Sequence, residues 1–422
     1  MNPLYNTGIR LYRLGVKAAA MRSEKPRLML EGHRKVENQI KEFRNRIGNR
    51  KLVWVHAASL GEFEQGRPMI DRLKKVDPKI AILLTFFSPS GYEVRKNYIG
   101  ADCVCYLPFD TPENVTAFLD TVKPDMAVFV KYEFWGNFLN ELKKRKVPTF
   151  LISAIFRKNQ PFFKFWGSMF RQILKCYTHI YVQDENSRKL LESIGIDNVT
   201  VAGDTRFDRV TDVLKNASPI DTIERWKESN KEMKCLIAGS SWPEDEDVYI
   251  PWIESRDDII TIIAPHEFDK ERLIKLKERI GSDHTALYSE VHAPGAKIDP
   301  SIKVIIIDCF GLLSSLYRYA DLAYVGGGFG AGIHNVAEAA VYGVPVLFGP
   351  NHEKFREAKD LKECGGGFAV DSPESFKETA EQLIDNPIPL EAAGKAAGNY
   401  IKSSLGATDR IIASLKKMMF SN

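Results

Sequence analysis

The stretch VGGGFGAGIHNVAEAAVYGVPVLFGP, Val325 to Pro350, decides how the rest of the chain is read. An apolar run ends in Gly326, Gly327 and Gly328. A polar turn follows, and a helix-like segment opens near His334 and Asn335 with Glu338 in its first turn. Glycine has no Cβ, so the backbone can come close to a bulky anion. The N–H groups and the dipole at the start of a helix favour phosphate. A carboxylate one turn in suits a ribose diol. The segment reads as a strand, a glycine loop and a helix that hold a nucleotide, with a plain tight turn as the alternative.

Working outward, the strand-then-helix unit recurs. LVWVHAA, AILLTFF, DCVCYLP and MAVFVKY lead into helical segments at about Gly61, Ser90, Pro112 and Glu133. TFLISAI and HIYVQ follow, the latter before a helix at Glu185 to Ile194. Beyond a break at Val201 to Pro219 come CLIAGSSW, DIITIIAP, KVIIIDC, DLAYVGGG and VPVLFGP. Apolar, non-alternating strands between helices imply parallel sheets covered on both faces. The expected class is α/β, with two Rossmann-like domains, a central cleft, and ligands at the carboxyl ends of the strands. The expected organisation is a membrane-associating helix over 1–30, a first domain over 31–205, a linker over 206–220, a second domain over 221–404 and a C-terminal helix over 405–422, free to pack back on the first domain.

Composition excludes several classes. Of 422 residues, 44% are hydrophobic and 27% charged, as in soluble multidomain proteins. The six cysteines and eight histidines are scattered without ligand spacing, so no metal is expected and the thiols read as free. No run approaches the about 18 apolar residues of a membrane span. Arg10, Arg13 and Lys17 also interrupt any signal-peptide core. The first fifty residues carry twelve Lys or Arg against four Glu. At helical spacing Arg10, Arg13 and Lys17 share a face, with Leu4, Tyr5, Ile9, Leu11, Tyr12 and Val16 around the rest. That pattern fits a helix lying in an anionic membrane surface, or one packed on the domain with solvated charges. Phe156 to Lys175 interleaves aromatic and basic residues, which suits a membrane interface, nucleic acid or a core helix. The lipid contact is the preferred reading, through Phe162, Phe163, Phe165 and Trp166, and no nucleic-acid partner is expected.

Several residues at the strand ends are chemical candidates. Glu62 follows LVWVHAASLG at a strand-to-helix junction, where a carboxylate serves as a general base or complements the helix dipole. Glu133 stands at a second junction, with the same two readings. Ser240 and Ser241 suit phosphate or an N-cap. His266 ends the next strand, within reach of an anion or in a structural role. Gly311 opens another helix, and Arg206 lies in the linker motif GDTRFD.

Taken in order, HAASLGEFEQGRP, FFSPSGYE, YLPFDTPENVTAFLDTVKPDMAVFVKYEFWGNFLNEL, VAGDTRFD, AGSSWPEDE and GGGFGAGIHNVAEAAVYGVPVLFGP resemble the bacterial 3-deoxy-D-manno-octulosonic acid (Kdo) transferases that act on lipid A precursors. The resemblance runs from about Leu4 to the C-terminal helix. It implies a GT-B glycosyltransferase in lipopolysaccharide synthesis, with CMP-Kdo as donor and no cofactor. The implied acceptor is the lipid A precursor disaccharide at the cytoplasmic face of the inner membrane in a Gram-negative-type envelope. SLGE matches the motif of the family's catalytic base, Glu62, and YEFWGN that of its second glutamate, Glu133. HNVAEA matches the nucleotide motif with His334, Asn335 and Glu338. The donor side is then Ser240, Ser241, His266, Gly311, Gly327, Gly328, Asn335, Glu338 and Arg206, and the acceptor side Ser59, Gly61, Ser88 and Gly91. The chain departs from the family at Lys131, usually acidic, and at APHEF, where His266 stands in place of a donor-binding arginine. A GT-B enzyme using a UDP-sugar, a nucleotide-dependent oxidoreductase and a non-catalytic scaffold are the alternatives.

Overall fold

Every residue of Leu52–Ala57, Ala81–Phe86, Met126–Val130 and Thr149–Ala154 is buried. Strands this apolar need cover on both faces, which a parallel sheet between helices provides. The computed structural model, which describes residues 3–292 and 298–420, contains two such sheets. They lie in separate compact units, Met1–Asp208 with Leu405–Asn422, and Arg209–Ser404.

The first unit is built on β1 (Leu52–Ala57), β2 (Ala81–Phe86), β3 (Cys103–Tyr106), β4 (Met126–Val130), β5 (Thr149–Ala154), β6 (His179–Val182) and β7 (Val199–Val201). Their order is β3-β2-β1-β4-β5-β6-β7, all parallel. The order reverses at β1, which opens a crevice at its carboxyl end. One face is covered by helices Glu24–Ile47, Pro112–Val122 and Gly136–Lys144, whose Val36, Ile40, Phe43, Phe118 and Leu139 pack in one core with Trp54 and Phe129. The other face is covered by Leu60–Val76 and by the last helix, Ala407–Phe420, whose Ile411, Ile412 and Leu415 join Phe63, Met69 and Ile70. Asp208 anchors the start of that last helix, accepting from the N–H groups of Gly406 (2.7 Å) and Thr408 (2.6 Å).

The second unit is built on β8 (Lys234–Ser241), β9 (Ile259–Pro265), β10 (Thr285–Leu287), β11 (Val304–Ile306), β12 (Leu322–Val325), β13 (Val346–Phe348) and β14 (Gly367–Ala369). Their order is β10-β11-β9-β8-β12-β13-β14. Here β8 lies between β9 and β12, so the crevice opens at the end of β8. Tyr249, Trp252, Leu322 and Phe376 form the core beneath it.

The structure departs from the sequence expectations in three places. The N-terminal region is two helices, Pro3–Ala19 and Glu24–Ile47, not one over 1–30. The second is a core element, because Met29, Val36, Ile40, Phe43 and Ile47 recur at helical spacing and are buried. The expected linker over 206–220 is mostly the helix Thr205–Asn216, pinned at its start by Thr205 Oγ1 donating to Gln65 O (2.6 Å). In the aromatic stretch, Phe162 is buried in the core and Phe163 packs against it. Only Phe165 and Trp166 of the four expected lipid contacts are exposed, at 95% and 53%.

Helix Pro3–Ala19 docks through its polar residues. Tyr5 donates to Asp110 (2.6 Å), and Asn6 accepts from Asn137 (2.8 Å). Arg10 pairs with Glu113 (3.1 Å), and Arg13 lies over the Phe109 ring. Leu4, Leu11 and Leu14 are exposed. Among the described residues no helix is long and apolar enough to cross a membrane.

Candidate active site

In the first unit, the turn after β1 places Glu62. Ser59 caps helix Leu60–Val76 and forms a capping box with Glu62. The Ser59 N–H (2.9 Å) and Oγ (3.1 Å) donate to Glu62 Oε2, and the Glu62 N–H donates back to Ser59 Oγ (3.5 Å). The carboxylate is thereby held at the carboxyl end of β1. Burial raises its pKa above the ordinary glutamate value, and the nearby Glu133 charge raises it further. The Ser59 hydrogen bonds and His56 pull it back.

Glu133 does not open a helix. The helix it precedes begins only at Gly136, so its carboxylate is not spent on a helix dipole. Lys131 takes a left-handed backbone (φ 72°), and the Glu133 side chain is buried, with Oε2 3.0 Å from His56 Nε2. Trp135 Nε1 also donates to Glu133, and the Tyr177 hydroxyl holds the Glu133 carbonyl. His56 is fully buried. Its Nδ1 lies 3.0 Å from the Thr85 carbonyl oxygen and 2.9 Å from Thr85 Oγ1. A carbonyl only accepts, so Nδ1 carries a proton. Its Nε2 faces the Glu133 carboxylate and also lies 3.1 Å from Trp135 Nε1.

His56, Thr85 and Trp135 were not among the sequence candidates. A signal was there: His56 and Thr85 are polar interruptions near the ends of two apolar runs, and the register pairs them directly. On the expected acceptor side, Ser88 caps helix Pro89–Arg95, and its N–H donates to Ala58 O (2.7 Å), tying the ends of β1 and β2 together. Gly91 is explained by packing, since a Cβ there would lie 2.3 Å from the Phe86 ring. Gly61 has open space around its Cβ position. Arg206 is tied to its neighbour Asp204, with Nη2 2.7 Å from Oδ2.

In the second unit, Ser240, Ser241, His266 and the Gly326–Gly328 turn gather at the carboxyl ends of β8, β9 and β12. Asp245 organises them. Its buried carboxylate accepts from the N–H groups of Trp242 (2.9 Å) and Gly327 (2.8 Å) and from the Tyr324 hydroxyl (2.7 Å). Burial raises its pKa and these donors lower it. This overturns the expectation of a free anion cradle at Gly327 and the helix after Ser240. The protein's own carboxylate already takes those N–H groups, and the first turn of helix Pro243–Glu254 bears Glu244, Asp245 and Glu246. Ser241 is likewise committed: its buried hydroxyl donates to Glu246 (3.3 Å). The glycines serve close backbone packing. A Cβ on Gly326 would lie 2.4 Å from Ser240 O, and one on Gly328 would lie 2.5 Å from Gly349 Cα.

Three other features of this crevice are not committed in that way. His266 makes stacked contacts with both Trp242 (4.7 Å) and His334 (4.3 Å). Trp242 Nε1 donates to His334 Nε2 (3.2 Å), and burial, then His266, lowers the His334 pKa, so its imidazole is neutral at pH 7. Glu338 lies in a single helical turn, Ala337–Ala340, which starts later than the sequence implies. Its carboxylate accepts from Ser314 Oγ (2.8 Å) and Asn335 Nδ2 (3.0 Å). Gly311 has φ +91° with nothing near its Cβ position, beside the exposed Phe310. Among the described residues no group of His, Cys, Asp and Glu is placed to hold a metal ion.

Comparison with known proteins bears on this arrangement. A family model described as 3-deoxy-D-manno-octulosonic-acid transferase (kdotransferase) matches residues 34–209. The chain is 26% identical to a 3-deoxy-D-manno-octulosonic acid transferase of Rickettsia bellii (strain RML369-C), over 90% of this chain and 89% of the relative. It is 27% identical to one of Aquifex aeolicus (strain VF5), over 79% of this chain and 86% of the relative. Among solved structures, a UDP-GlcNAc 2-epimerase from Neisseria meningitidis bound to UDP-GlcNAc superposes with a TM-score of 0.60 at 16% identity, covering 87% of this chain and 100% of that one. That likeness concerns the fold alone. Over the matched domain, and over most of its length, the chain is similar to Kdo transferases, and it is a glycosyltransferase with the GT-B fold.

Proposed function

We propose that the chain transfers Kdo from CMP-Kdo to a primary hydroxyl of the lipid A precursor disaccharide, inverting the anomeric centre, with Glu62 as general base. The observation that carries this reading is the Glu62 carboxylate itself. It is half-buried at the switch point of the first sheet, its pKa is raised by burial and by Glu133, and Ser59 holds it in place. A carboxylate of raised pKa is a stronger base than an exposed one, and turnover needs a base near its working pH. Glu62 takes the acceptor proton as the acceptor oxygen bonds to the anomeric carbon. The bond from that carbon to the CMP phosphate breaks, and its electron pair leaves with CMP. Glu133 and His56 set the charge beside the base.

The nucleotide is assigned to the second unit. The Trp242–His266–His334 stack offers aromatic faces to the base, Glu338 offers acceptor oxygens to the ribose hydroxyls, and the open turn at Gly311 receives the phosphate. Arg206, held by Asp204, is assigned a bracing role. No metal or cofactor is assigned, and the protein acts peripherally at the cytoplasmic face of the inner membrane. The test is incubation with CMP-Kdo generated in situ and lipid A precursor, in excess chelator, with products read by mass spectrometry. A product heavier by one or more Kdo units supports the reading. Turnover only of a UDP-sugar, or only on adding magnesium, contradicts it.

A further inference from the structure

A cavity of about 610 Å³ lies in the first unit, lined by residues of helices Pro3–Ala19, Glu24–Ile47 and Pro112–Val122. That is the size of a small-molecule site. Its apolar lining includes Leu30, Val36, Ile40, Phe109 and Phe118, and three cations, Arg13, Lys17 and Arg34, border it. None of the three has a carboxylate partner among the described residues. The nearby acids are engaged elsewhere: Glu37 pairs with Lys41 (2.6 Å) and Glu113 with Arg10 (3.1 Å). His33 also lines the cavity, and its Nε2 is buried without a hydrogen-bond partner, which native structures rarely tolerate unless something binds there. Burial, aided by Arg13, lowers the His33 pKa to about 4, so it meets an occupant as a neutral ring.

An apolar chamber edged by unpaired cations is complementary to an anionic amphiphile. Hydrocarbon buried there leaves water, which favours binding, and a phosphate at the rim meets charged donors, while Glu37, the one carboxylate in the lining, is paired with Lys41. We propose that this cavity binds one hydrocarbon chain of an anionic membrane lipid, with the lipid's phosphate held by Arg13, Lys17 and Arg34. The bilayer is the source, because the helix that supplies Arg13 and Lys17 also exposes Leu4, Leu11 and Leu14. Binding here needs neither donor nor turnover, so it can be tested apart from the catalytic reading.

The probe is decyl phosphate below its micelle concentration, titrated calorimetrically into the full chain, with decanol and inorganic phosphate as controls. Decyl phosphate should bind with one-to-one stoichiometry, at least about tenfold more tightly than either control. Arg34→Glu should weaken decyl phosphate about tenfold and leave decanol unchanged. Ala117→Trp, at an exposed position lining the cavity, should weaken both alkyl ligands. Thermal melts establish that each variant is folded, and the wild-type ligand series decides the matter without them. Decyl phosphate binding no tighter than decanol or inorganic phosphate overturns the proposal, as does binding that neither folded variant alters.

Discussion

His56 Nε2 lies 3.0 Å from Glu133 Oε2, with both side chains almost wholly out of solvent. Removing one partner from a buried pair of this kind leaves the other uncompensated, at a cost of about 3–5 kcal/mol. His56→Ala also frees Thr85 and leaves a void. It should therefore lower unfolding stability by at least about 3 kcal/mol. Urea denaturation measures this, and a midpoint equal to wild type would show that the pair contributes nothing.

Glu62 sets a pH dependence with a definite sign. Its pKa is raised in the folded protein by burial and then by Glu133, so folding favours the protonated form. That contribution is complete below the unfolded value and is lost as pH rises through the folded value. Glu62→Gln, always neutral, should match wild type at acid pH and exceed it in stability near pH 7. Wild-type turnover should rise with pH through a midpoint above the ordinary glutamate value of about 4.3. Glu133→Gln removes a raising charge, so any turnover it retains should have its acid limb displaced to lower pH. An acid limb that stays put or moves upward contradicts the coupling.

The framework of the fold was legible in the sequence, and its reasons are local. LVWVHAA and DIITIIAP are long enough to show two buried faces. The strands that escaped, Val199–Val201, Thr285–Leu287 and Gly367–Ala369, have three residues each and sit at or near sheet edges. Glu62 was legible because a capping box is written in consecutive residues. His56 with Glu133 was not, since that contact joins β1 to the turn after β4, between residues 77 positions apart in the chain. Nor was the fate of the Gly327 N–H, because nothing in the glycine motif shows that Asp245 takes it.

Glu338 is the residue on which the nucleotide assignment rests most directly. Its two carboxylate oxygens accept from Ser314 and Asn335, and each keeps lone pairs for a ribose diol. Glu338→Ala should weaken CMP binding by at least about tenfold, or roughly 1.4 kcal/mol, and leave acceptor binding unchanged. Calorimetry with CMP checks it. An unchanged dissociation constant would move the nucleotide elsewhere.

Membrane attachment is expected to depend on the exposed leucines of the first helix as well as on its charges, because Arg10 is paired with Glu113. Leu4, Leu11 and Leu14 replaced together by Ser should shift the protein from anionic vesicles to the soluble fraction, with activity on detergent-dispersed acceptor retained. Cosedimentation equal to wild type would place the attachment elsewhere, with the exposed Phe165 and Trp166 the next surface to alter.

The most direct measurement is the turnover of Glu62→Gln with CMP-Kdo and lipid A precursor, alongside its affinity for CMP. Loss of a general base lowers turnover by about 10²–10⁴-fold, while CMP, assigned to the other unit, should bind as in wild type. A drop of at least about a hundredfold with unchanged CMP affinity is the predicted result. Turnover within a few-fold of wild type would contradict Glu62 as the base.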